Sequence, residues 1–310
     1  MLLGYTFNEL IIFSFYTYLL YILYRILYWV YKITIRKRYN LKERYGNNTW
    51  ALVTGATDGI GKAFCEALAR EGFNIILVSR NIDKLKKCEE ELKSINPKIE
   101  TFTLIYDFSN KIDLESYKKE FAKADHLDIS IIVNNVGIGV PSEFINQSLE
   151  DVYNTMIVNM LPQGVITKIF IDKLVKREKK SAFINISSVA CLTPIPNFAV
   201  YSATKAFNDF LSRALQVEFS GKIDFLSVRP FGVSTNLAKM KTSFTIISPR
   251  NCAESTLNQL VYENVIFGYY SHDIQATLFS YVADYFFRLI NYSTLFKKLL
   301  ITNGLDNKIN

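Results

Sequence analysis

The sequence predicts a doubly wound α/β protein with a parallel sheet in one domain, preceded by an apolar N-terminal helix. Three observations support this fold class. From Trp50 onward, short runs rich in β-branched and aromatic residues alternate with longer stretches of helical period. The first of these runs leads through a glycine-rich turn directly into a helical stretch. The first 35 residues are far more apolar than the rest of the chain.

The N-terminal element is predicted from its length and its lack of charge. Residues 10–31 contain one charged side chain, Arg25, and about 20 apolar residues suffice to cross a bilayer. Four tyrosines at helical spacing also suit a helix lying in the headgroup region, so spanning and interfacial placements both stay open. The cluster of basic residues at 32–44 predicts that the chain beyond it faces the cytosol. We therefore expect residues 1–45 to form a membrane anchor and a basic juxtamembrane segment.

The body of the chain, residues 46–270, is predicted to form one Rossmann-type catalytic domain. Strands are expected at 50–54, 74–79, 100–106, 129–133, 181–187, 223–229 and 265–270, and helices between them include 60–71, 81–95, 148–160 and 200–219. Strands that alternate with helices form parallel β-α-β units. Residues 271–310 form a third, apolar or amphipathic segment. Its apolar stretch at 276–290 suits a helix over the substrate mouth, a second membrane contact or core.

Composition and charge exclude several classes of protein. The net charge is +7, but residues 1–45 contain seven basic and two acidic side chains, so the rest of the chain is close to neutral. A nucleic-acid-binding domain concentrates its positive charge on the folded body, and this chain does not. The four cysteines contain no C-x-x-C pair and the chain has two histidines. This pattern excludes a Cys/His metal cluster and a disulfide scaffold, and it favours a reducing compartment.

The glycine-rich turn after the first strand predicts a dinucleotide site. Glycines at this junction let the backbone approach a pyrophosphate, and the helix that follows supplies amide donors at its N-terminus. The cofactor-binding candidates in the turn are Gly55, Thr57, Asp58, Gly59, Ile60 and Gly61.

The end of the second strand predicts which dinucleotide is bound. An acidic residue there would accept a hydrogen bond from the ribose 2′-hydroxyl of NAD. The chain has Ser79 and Arg80 instead, and a guanidinium suits a 2′-phosphate, so the sequence favours NADP, with an ordinary surface arginine as the alternative. Asp107 and Asn134 follow the third and fourth strands and are expected to contact the adenine and ribose in the same crevice.

Tyr201 and Lys205 are the main candidates for chemistry. Residues four apart share one face of a helix, so the ammonium of Lys205 can stabilise a deprotonated phenol. Such a phenol can give a proton to a carbonyl oxygen as hydride reaches the carbon. Ser188, after the fifth strand, can polarise the same carbonyl, and Asn159 lies on the preceding helix. No metal ligand set is expected.

Taken in this order, the motifs resemble the short-chain dehydrogenase/reductase family over about residues 48–270. The matching features are T-G-A-T-D-G-I-G, N-N-V-G, Asn159, Ser188, Tyr201, Lys205 and the later Pro230-x-x-Val233-x-Thr235. The resemblance implies that Tyr201 is the acid/base and that Lys205 binds the nicotinamide ribose and lowers the phenol pKa. It also implies that Ser188 orients the carbonyl and that Asn159 holds a water in a proton relay. The segment containing Pro230, Val233 and Thr235 is then expected to contact the nicotinamide.

Within that family the chain looks like a membrane subgroup, the very-long-chain 3-oxoacyl-CoA reductases and the type 12 and type 3 17β-hydroxysteroid dehydrogenases. The resemblance rests on the apolar anchor, the variant glycine turn, S-R-N after the second strand and Y-S-A-T-K-A-F. It implies NADPH as cofactor, the endoplasmic reticulum membrane as location, and a homodimer and other elongation-cycle enzymes as partners. Gly232, after Pro230-Phe231, departs from the subgroup pattern beside the expected nicotinamide site.

Three functional hypotheses remain open at this point. The first is NADPH-dependent reduction of a very-long-chain 3-oxoacyl-CoA to the 3-hydroxyacyl-CoA. Lys239, Lys241 and Arg250 flank an expected lid at 236–250 and could meet CoA phosphates, with a solvated basic loop as the favoured alternative. The second is reduction of a 17-ketosteroid with the same residues. The third is a non-catalytic NADP-binding membrane scaffold, against which the complete set of four catalytic candidates argues.

Overall fold

A computed structural model describes residues 7–110, 113–238 and 240–277 of the chain. The chain divides into two compact units, Met1–Tyr39 and Asn40–Asn310. The first unit contains helix α1 (Phe7–Thr34), whose 27-residue span Asn8–Thr34 includes an 18-residue window with a mean hydropathy of 1.7. By length and composition this helix can cross a membrane. Arg25 donates a hydrogen bond to the Tyr21 hydroxyl at 3.0 Å, so its charge is partly satisfied within the helix.

The second unit begins at Asn40, earlier than the boundary at residue 46 that the sequence predicts. Helix α2 (Leu41–Tyr45) buries Leu41 and Tyr45 completely in the core. Arg44 forms an ion pair with Asp224 of the sheet at 2.6 Å, and the Tyr45 hydroxyl donates to the same carboxylate at 2.7 Å. The end of the basic segment therefore belongs to the folded body, because its side chains find buried partners there.

The remaining elements follow in chain order. The strands are β1 (Trp50–Thr54), β2 (Asn74–Ser79), β3 (Thr101–Ile105), β4 (Ile129–Asn134), β5 (Ser181–Ile186), β6 (Ile223–Val228), β7 (Gly232–Val233), β8 (Ile246–Ile247) and β9 (Val265–Ile266). The helices are α3 (Gly59–Arg70), α4 (Ile82–Ile95), α5 (Leu114–Ala122), α6 (Leu149–Val175), α7 (Ala199–Glu218) and α8 (Pro249–Gln259). Single 3₁₀ turns lie at Phe144–Asn146 and Val189–Cys191.

Seven strands form one parallel sheet in the order β3-β2-β1-β4-β5-β6-β9. Helices α3, α4 and α8 pack on one face, and α5, α6 and α7 pack on the other. Side chains alternate along a strand, so Ala51 and Val53 of β1 enter one core while Trp50 and Leu52 enter the other. Both faces are covered, which explains why the central strands read as continuous apolar runs.

The strand order reverses between β1 and β4, and the carboxyl ends of the parallel strands open there into a crevice. Strands β7 and β8 pair with each other outside the main sheet, β7 just before the expected lid at 236–250 and β8 within it. Residues 270–277 are helical. The remainder of the expected 271–310 segment, including most of 276–290, and Lys239 of the lid lie outside the described residues.

Candidate active site

A cavity of about 610 Å³ lies at the carboxyl ends of the central strands. Most of the residues predicted from the sequence line it. They are Gly55, Thr57, Asp58, Gly59, Ile60, Ser79, Arg80, Asp107, Ser188, Tyr201, Lys205, Pro230, Val233 and Thr235. Gly61, Asn134 and Asn159 are not part of the lining. One crevice thus brings together the glycine turn, the end of β2 and the candidates for proton transfer.

The glycine turn forms a cradle that fits a dinucleotide pyrophosphate. Gly59 begins α3 with a φ of +53°, a left-handed conformation that favours glycine. Gly61 lies two residues further along the helix, where an added Cβ would overlap the Gly55 carbonyl oxygen. The absence of a side chain lets the first turn of α3 lie directly on the loop. The backbone amides at the start of α3 are therefore brought to the cavity, where an anion can bind them.

Replacing Gly61 with alanine is expected to force the loop and the helix apart. Since backbone, not a flexible side chain, meets the new methyl group, we expect the affinity for NADPH to fall about tenfold, corresponding to a strain of 1–3 kcal/mol. Titration of nucleotide fluorescence measures the change. Gly164→Ala in α6 is the matched control, because an added Cβ there meets no atom within 4 Å. Equal affinities of the two variants would contradict this account of Gly61.

Asn134 and Asn135, after the fourth strand, have different positions. Asn134 is buried and donates hydrogen bonds to Asn185 at 2.9 Å and to Thr167 at 3.4 Å. It faces the core and does not reach the crevice, because β4 continues one residue beyond its expected end and pairs Asn134 with Asn185. Asn135 instead lines the cavity and donates from its amide to the Thr54 carbonyl at 2.8 Å. Asn135 holds the glycine turn, a role that sequence reasoning did not assign to it.

The end of β2 forms the far side of the crevice. The Ser79 hydroxyl lies 3.0 Å from that of Thr57, which ties β2 to the glycine turn. The Arg80 guanidinium lies 3.8 Å from the Asp107 carboxylate and is 70% exposed, so it can turn toward a bound group. Asp107 also accepts hydrogen bonds from the backbone and hydroxyl of Ser109. Burial raises the pKa of Asp107, but these donors and Arg80 outweigh it and hold the pKa below its usual value.

Tyr201, Lys205 and Ser188 converge on the other side of the cavity. Tyr201 and Lys205 are one helical turn apart on α7, and the Lys205 ammonium lies 5.6 Å from the centre of the Tyr201 ring. The same ammonium donates to the Ile186 carbonyl at the end of β5 at 2.9 Å. Ser188 follows β5, and its hydroxyl accepts a hydrogen bond from the Ala190 amide at 3.2 Å. Strand β5 and helix α7 therefore place all three groups at one point of the crevice.

Burial is the largest influence on the pKa of Tyr201 and raises it, while a hydrogen bond with Ser188 opposes the shift. The family resemblance implies that Lys205 lowers the pKa of the Tyr201 phenol. In this structure the net shift of that pKa is upward. Burial also lowers the pKa of Lys205 to about 8. The phenol is thus protonated at neutral pH, as a proton donor to a carbonyl must be.

Asn159 of α6 is 2% exposed and joins two walls of the site. Its amide nitrogen donates to the Ile138 carbonyl at 2.9 Å and to the Thr204 hydroxyl of α7 at 3.0 Å. Its amide oxygen accepts from the Ile138 backbone at 2.8 Å. The side chain is therefore fully used in fixing the loop after β4 against α7.

Four apolar side chains form a further part of the cavity wall. They are Ile138, Val158, Phe231 and Leu237. Sequence reasoning did not select them, since each is an ordinary apolar residue and only the fold brings them together. This wall suits an apolar substrate whose polar atom is the reacting oxygen.

Comparisons with known proteins agree with this geometry. A family model for the short chain dehydrogenases matches residues 49–245. The chain is 39% identical over 231 residues to the very-long-chain 3-oxoacyl-CoA reductase-A of Danio rerio, covering 73% of this chain and 71% of that protein. It is 36% identical over 256 residues to the inactive hydroxysteroid dehydrogenase-like protein 1 of Homo sapiens, covering 80% and 76%.

Solved structures share the fold. A short-chain dehydrogenase from Sphingobium yanoikuyae in complex with NADPH superposes with a TM-score of 0.64 at 25% identity, covering 71% of this chain and 87% of that chain. The family model spans more than half of the present sequence. The chain belongs to the short-chain dehydrogenase family and is an oxidoreductase.

Proposed function

We propose that the protein reduces a ketone on a lipid substrate with NADPH, most specifically a very-long-chain 3-oxoacyl-CoA to the 3-hydroxyacyl-CoA. The observation that supports this best is the convergence of Tyr201, Ser188 and Lys205 beside a dinucleotide cradle and an apolar wall in one cavity. A proton donor and a hydroxyl at one point are what reduction of a carbonyl requires.

The chemistry follows from the positions of the side chains. The Ser188 hydroxyl holds the substrate carbonyl oxygen toward Tyr201, which polarises the bond. The reduced nicotinamide, when bound, supplies the hydride that reaches the carbonyl carbon. Tyr201 gives its phenolic proton to the oxygen, which becomes the hydroxyl of the product. The Lys205 ammonium, fixed by the Ile186 carbonyl, stabilises the phenolate until it is reprotonated. Asn159 keeps the loop after β4 in place during these steps.

NADPH is favoured over NADH by the end of β2. The end of the strand, Ser79-Arg80-Asn81, contains no acidic side chain, and Arg80, which is 70% exposed, can turn toward a 2′-phosphate. We expect Arg80→Leu to weaken NADPH binding about tenfold and to leave NADH binding unchanged, since only NADPH has the phosphate. Fluorescence titration with both nucleotides measures this. Arg70→Leu, on the outer surface of α3, serves as the control. An equal loss of affinity for both nucleotides would argue against a phosphate contact.

An acyl-CoA substrate is supported by the apolar wall and by the likeness to the reductase of Danio rerio. The basic lid residues add little support. Arg250 is paired with Glu254 at 2.8 Å, and of the other two, Lys241 is exposed while Lys239 lies outside the described residues. A 17-ketosteroid is the second candidate, because relatives include the putative steroid dehydrogenase 1 of Caenorhabditis elegans. Both substrates dissolve in a bilayer, and the apolar helix α1 suits an enzyme that meets them there.

We further propose that the anchor places the protein on the endoplasmic reticulum membrane with its catalytic domain in the cytosol. The basic residues after α1 support this orientation, since positive flanks stay on the cytosolic side. From the family resemblance we also propose a homodimer and contacts with other elongation-cycle enzymes.

The substrate is tested with the full-length chain in detergent, offered a long-chain 3-oxoacyl-CoA and a 17-ketosteroid in parallel. The proposal predicts that kcat/KM for the thioester exceeds that for the steroid by at least tenfold, with the 3-hydroxyacyl-CoA identified by mass spectrometry. A reversed ratio would make the ketosteroid the substrate. Binding of NADPH without turnover of either ketone would support the non-catalytic scaffold.

A further inference from the structure

The glycine turn and the start of the lid are joined by a pair of side chains, Asp58 and Asn236. The Asn236 amide nitrogen of the lid donates to both oxygens of the Asp58 carboxylate, at 3.0 and 2.8 Å. Both residues line the cavity. The pair therefore joins two segments of the cavity lining that are far apart in the sequence.

Asp58 is fully engaged in holding backbone and lid. Its carboxylate caps α3 by accepting a hydrogen bond from the Gly59 amide at 2.7 Å. The negative charge sits at the positive end of the helix dipole, where it is stabilised. One carboxylate oxygen accepts from the Gly59 amide, and both oxygens accept from the Asn236 side chain. The donors around the Asp58 carboxylate therefore belong to the protein itself. Asp58 also lines the cavity, and its expected contact with the cofactor stays a prediction.

The lid is seated on the turn by packing as well. An added Cβ on Gly59 would lie 3.0 Å from the Thr235 methyl group, so the Thr235 side chain, just before the lid, packs closely against the turn where residue 59 has no side chain. The Thr235 hydroxyl accepts from the Ala238 amide at 3.1 Å, which folds residues 235–238 into a turn. The Ser234 hydroxyl donates to the Met240 carbonyl at 2.6 Å. These two hydrogen bonds hold the backbone around Asn236, and the Asn236 side chain is thereby placed against Asp58.

We propose that Asp58 and Asn236 form a latch that holds the lid over the bound dinucleotide and sets the rate at which it leaves. The inference rests on the dinucleotide-binding part of the proposed function and is independent of which ketone is reduced. The lid must separate from the glycine turn before the dinucleotide can leave, and the two hydrogen bonds to the carboxylate resist that separation. Asn236 is accordingly a positioning residue that acts on the cofactor through the lid.

The rate of NADPH release tests the latch without any substrate. Full-length protein loaded with NADPH is mixed in a stopped-flow instrument with excess NADP⁺, and the loss of nucleotide fluorescence is followed. We expect release about fivefold faster in Asn236→Ala, which removes the exposed hydrogen bonds. Asn236→Asp is expected to be faster still, tenfold or more, because two carboxylates then face each other. Asn146→Asp is the control, since Asn146 makes the same kind of bond to Glu143 away from the cavity, and we expect an unchanged rate.

The exchanged pair separates a latch from a general disturbance of the lid. In the double variant Asp58→Asn with Asn236→Asp the donor and acceptor change places, and asparagine still caps α3. We expect its release rate to return to within about twofold of the original, on the scale of a restored hydrogen bond. The proposal is overturned if Asn236→Asp releases NADPH at the original rate, or if the exchanged pair is as fast as that single variant. Failure of the unaltered protein to bind NADPH would instead overturn the dinucleotide site itself, and the latch with it.

Discussion

Tyr201→Phe is expected to lower the rate of ketone reduction by 10²- to 10⁴-fold, while NADPH still binds. The phenol is the proton donor nearest the reacting carbonyl in the proposed mechanism, and its raised pKa keeps the proton on it at neutral pH. Phenylalanine retains the ring, which packs against Phe198 with centroids 5.7 Å apart, so the wall of the cavity is preserved. The loss should therefore fall on kcat, with little change in the dissociation constant of NADPH.

Steady-state turnover and nucleotide titration, on the same preparation, measure the two quantities. Tyr262→Phe provides the control, because Tyr262 is an exposed tyrosine that does not line the cavity. If Tyr201→Phe kept more than about a tenth of the activity, a loss below the range expected for general acid catalysis, proton transfer would have to come from another group.

Arg229→Leu is expected to destabilise the catalytic domain by about 3 kcal/mol. Asp209 of α7 is buried, and Arg229, which follows β6, donates to its two oxygens at 2.6 and 2.8 Å. Ser227 and Arg213 also bond to this carboxylate, at 2.7 and 2.9 Å. Removing Arg229 leaves a buried charge with a single, half-exposed cation beside it. The cost is large because a buried carboxylate loses its main partner, not because a surface ion pair is lost.

The sign of the pH dependence follows from the same contacts. Burial raises the pKa of Asp209, but Arg229, Ser227 and Arg213 outweigh it and hold the pKa below its usual value. The contribution of the pair is thus complete at neutral pH and is lost as the pH falls through the acidic range. Chemical denaturation at pH 7 should show the difference. Arg250→Leu, which breaks an exposed pair with Glu254, should change stability by less than about 1 kcal/mol. Similar losses in both variants would refute the assignment.

The parallel sheet and the family predicted from the sequence are confirmed. The hydrophobic pattern of the sequence predicted the positions of the central strands well, because a strand buried on both faces is a short apolar run between two turns. Strand β9 is shorter than its expected range 265–270. Helix α6 extends to Val175, well beyond its expected end at 160. Pro162 lies inside α6, yet the buried side chains of the helix on both sides of it are packed into the core, and tertiary packing outweighs the missing hydrogen bond.

The candidate site was predictable where a motif has a fixed place in the chain, and less so where partners meet only in the fold. The glycine turn and Tyr201 are local patterns, so their positions in the crevice could be anticipated. The bonds of Asn236 to Asp58 and of Arg44 to Asp224 join residues about 180 positions apart. No periodicity or spacing indicates such pairs. The exchange of roles between Asn134 and Asn135 depended on one further residue of strand pairing, which is within the usual uncertainty of a strand end.

We propose that this cavity catalyses reduction of a lipid ketone and does not merely bind a nucleotide. A single-turnover experiment tests it most directly. Full-length protein in detergent is loaded with one equivalent of NADPH and mixed with a long-chain 3-oxoacyl-CoA. Loss of reduced nicotinamide absorbance and formation of hydroxyl product are followed together. The account predicts one 3-hydroxyacyl-CoA for each NADPH consumed, and no product in Tyr201→Phe. Bound NADPH that persists unchanged beside both the thioester and a 17-ketosteroid would contradict it.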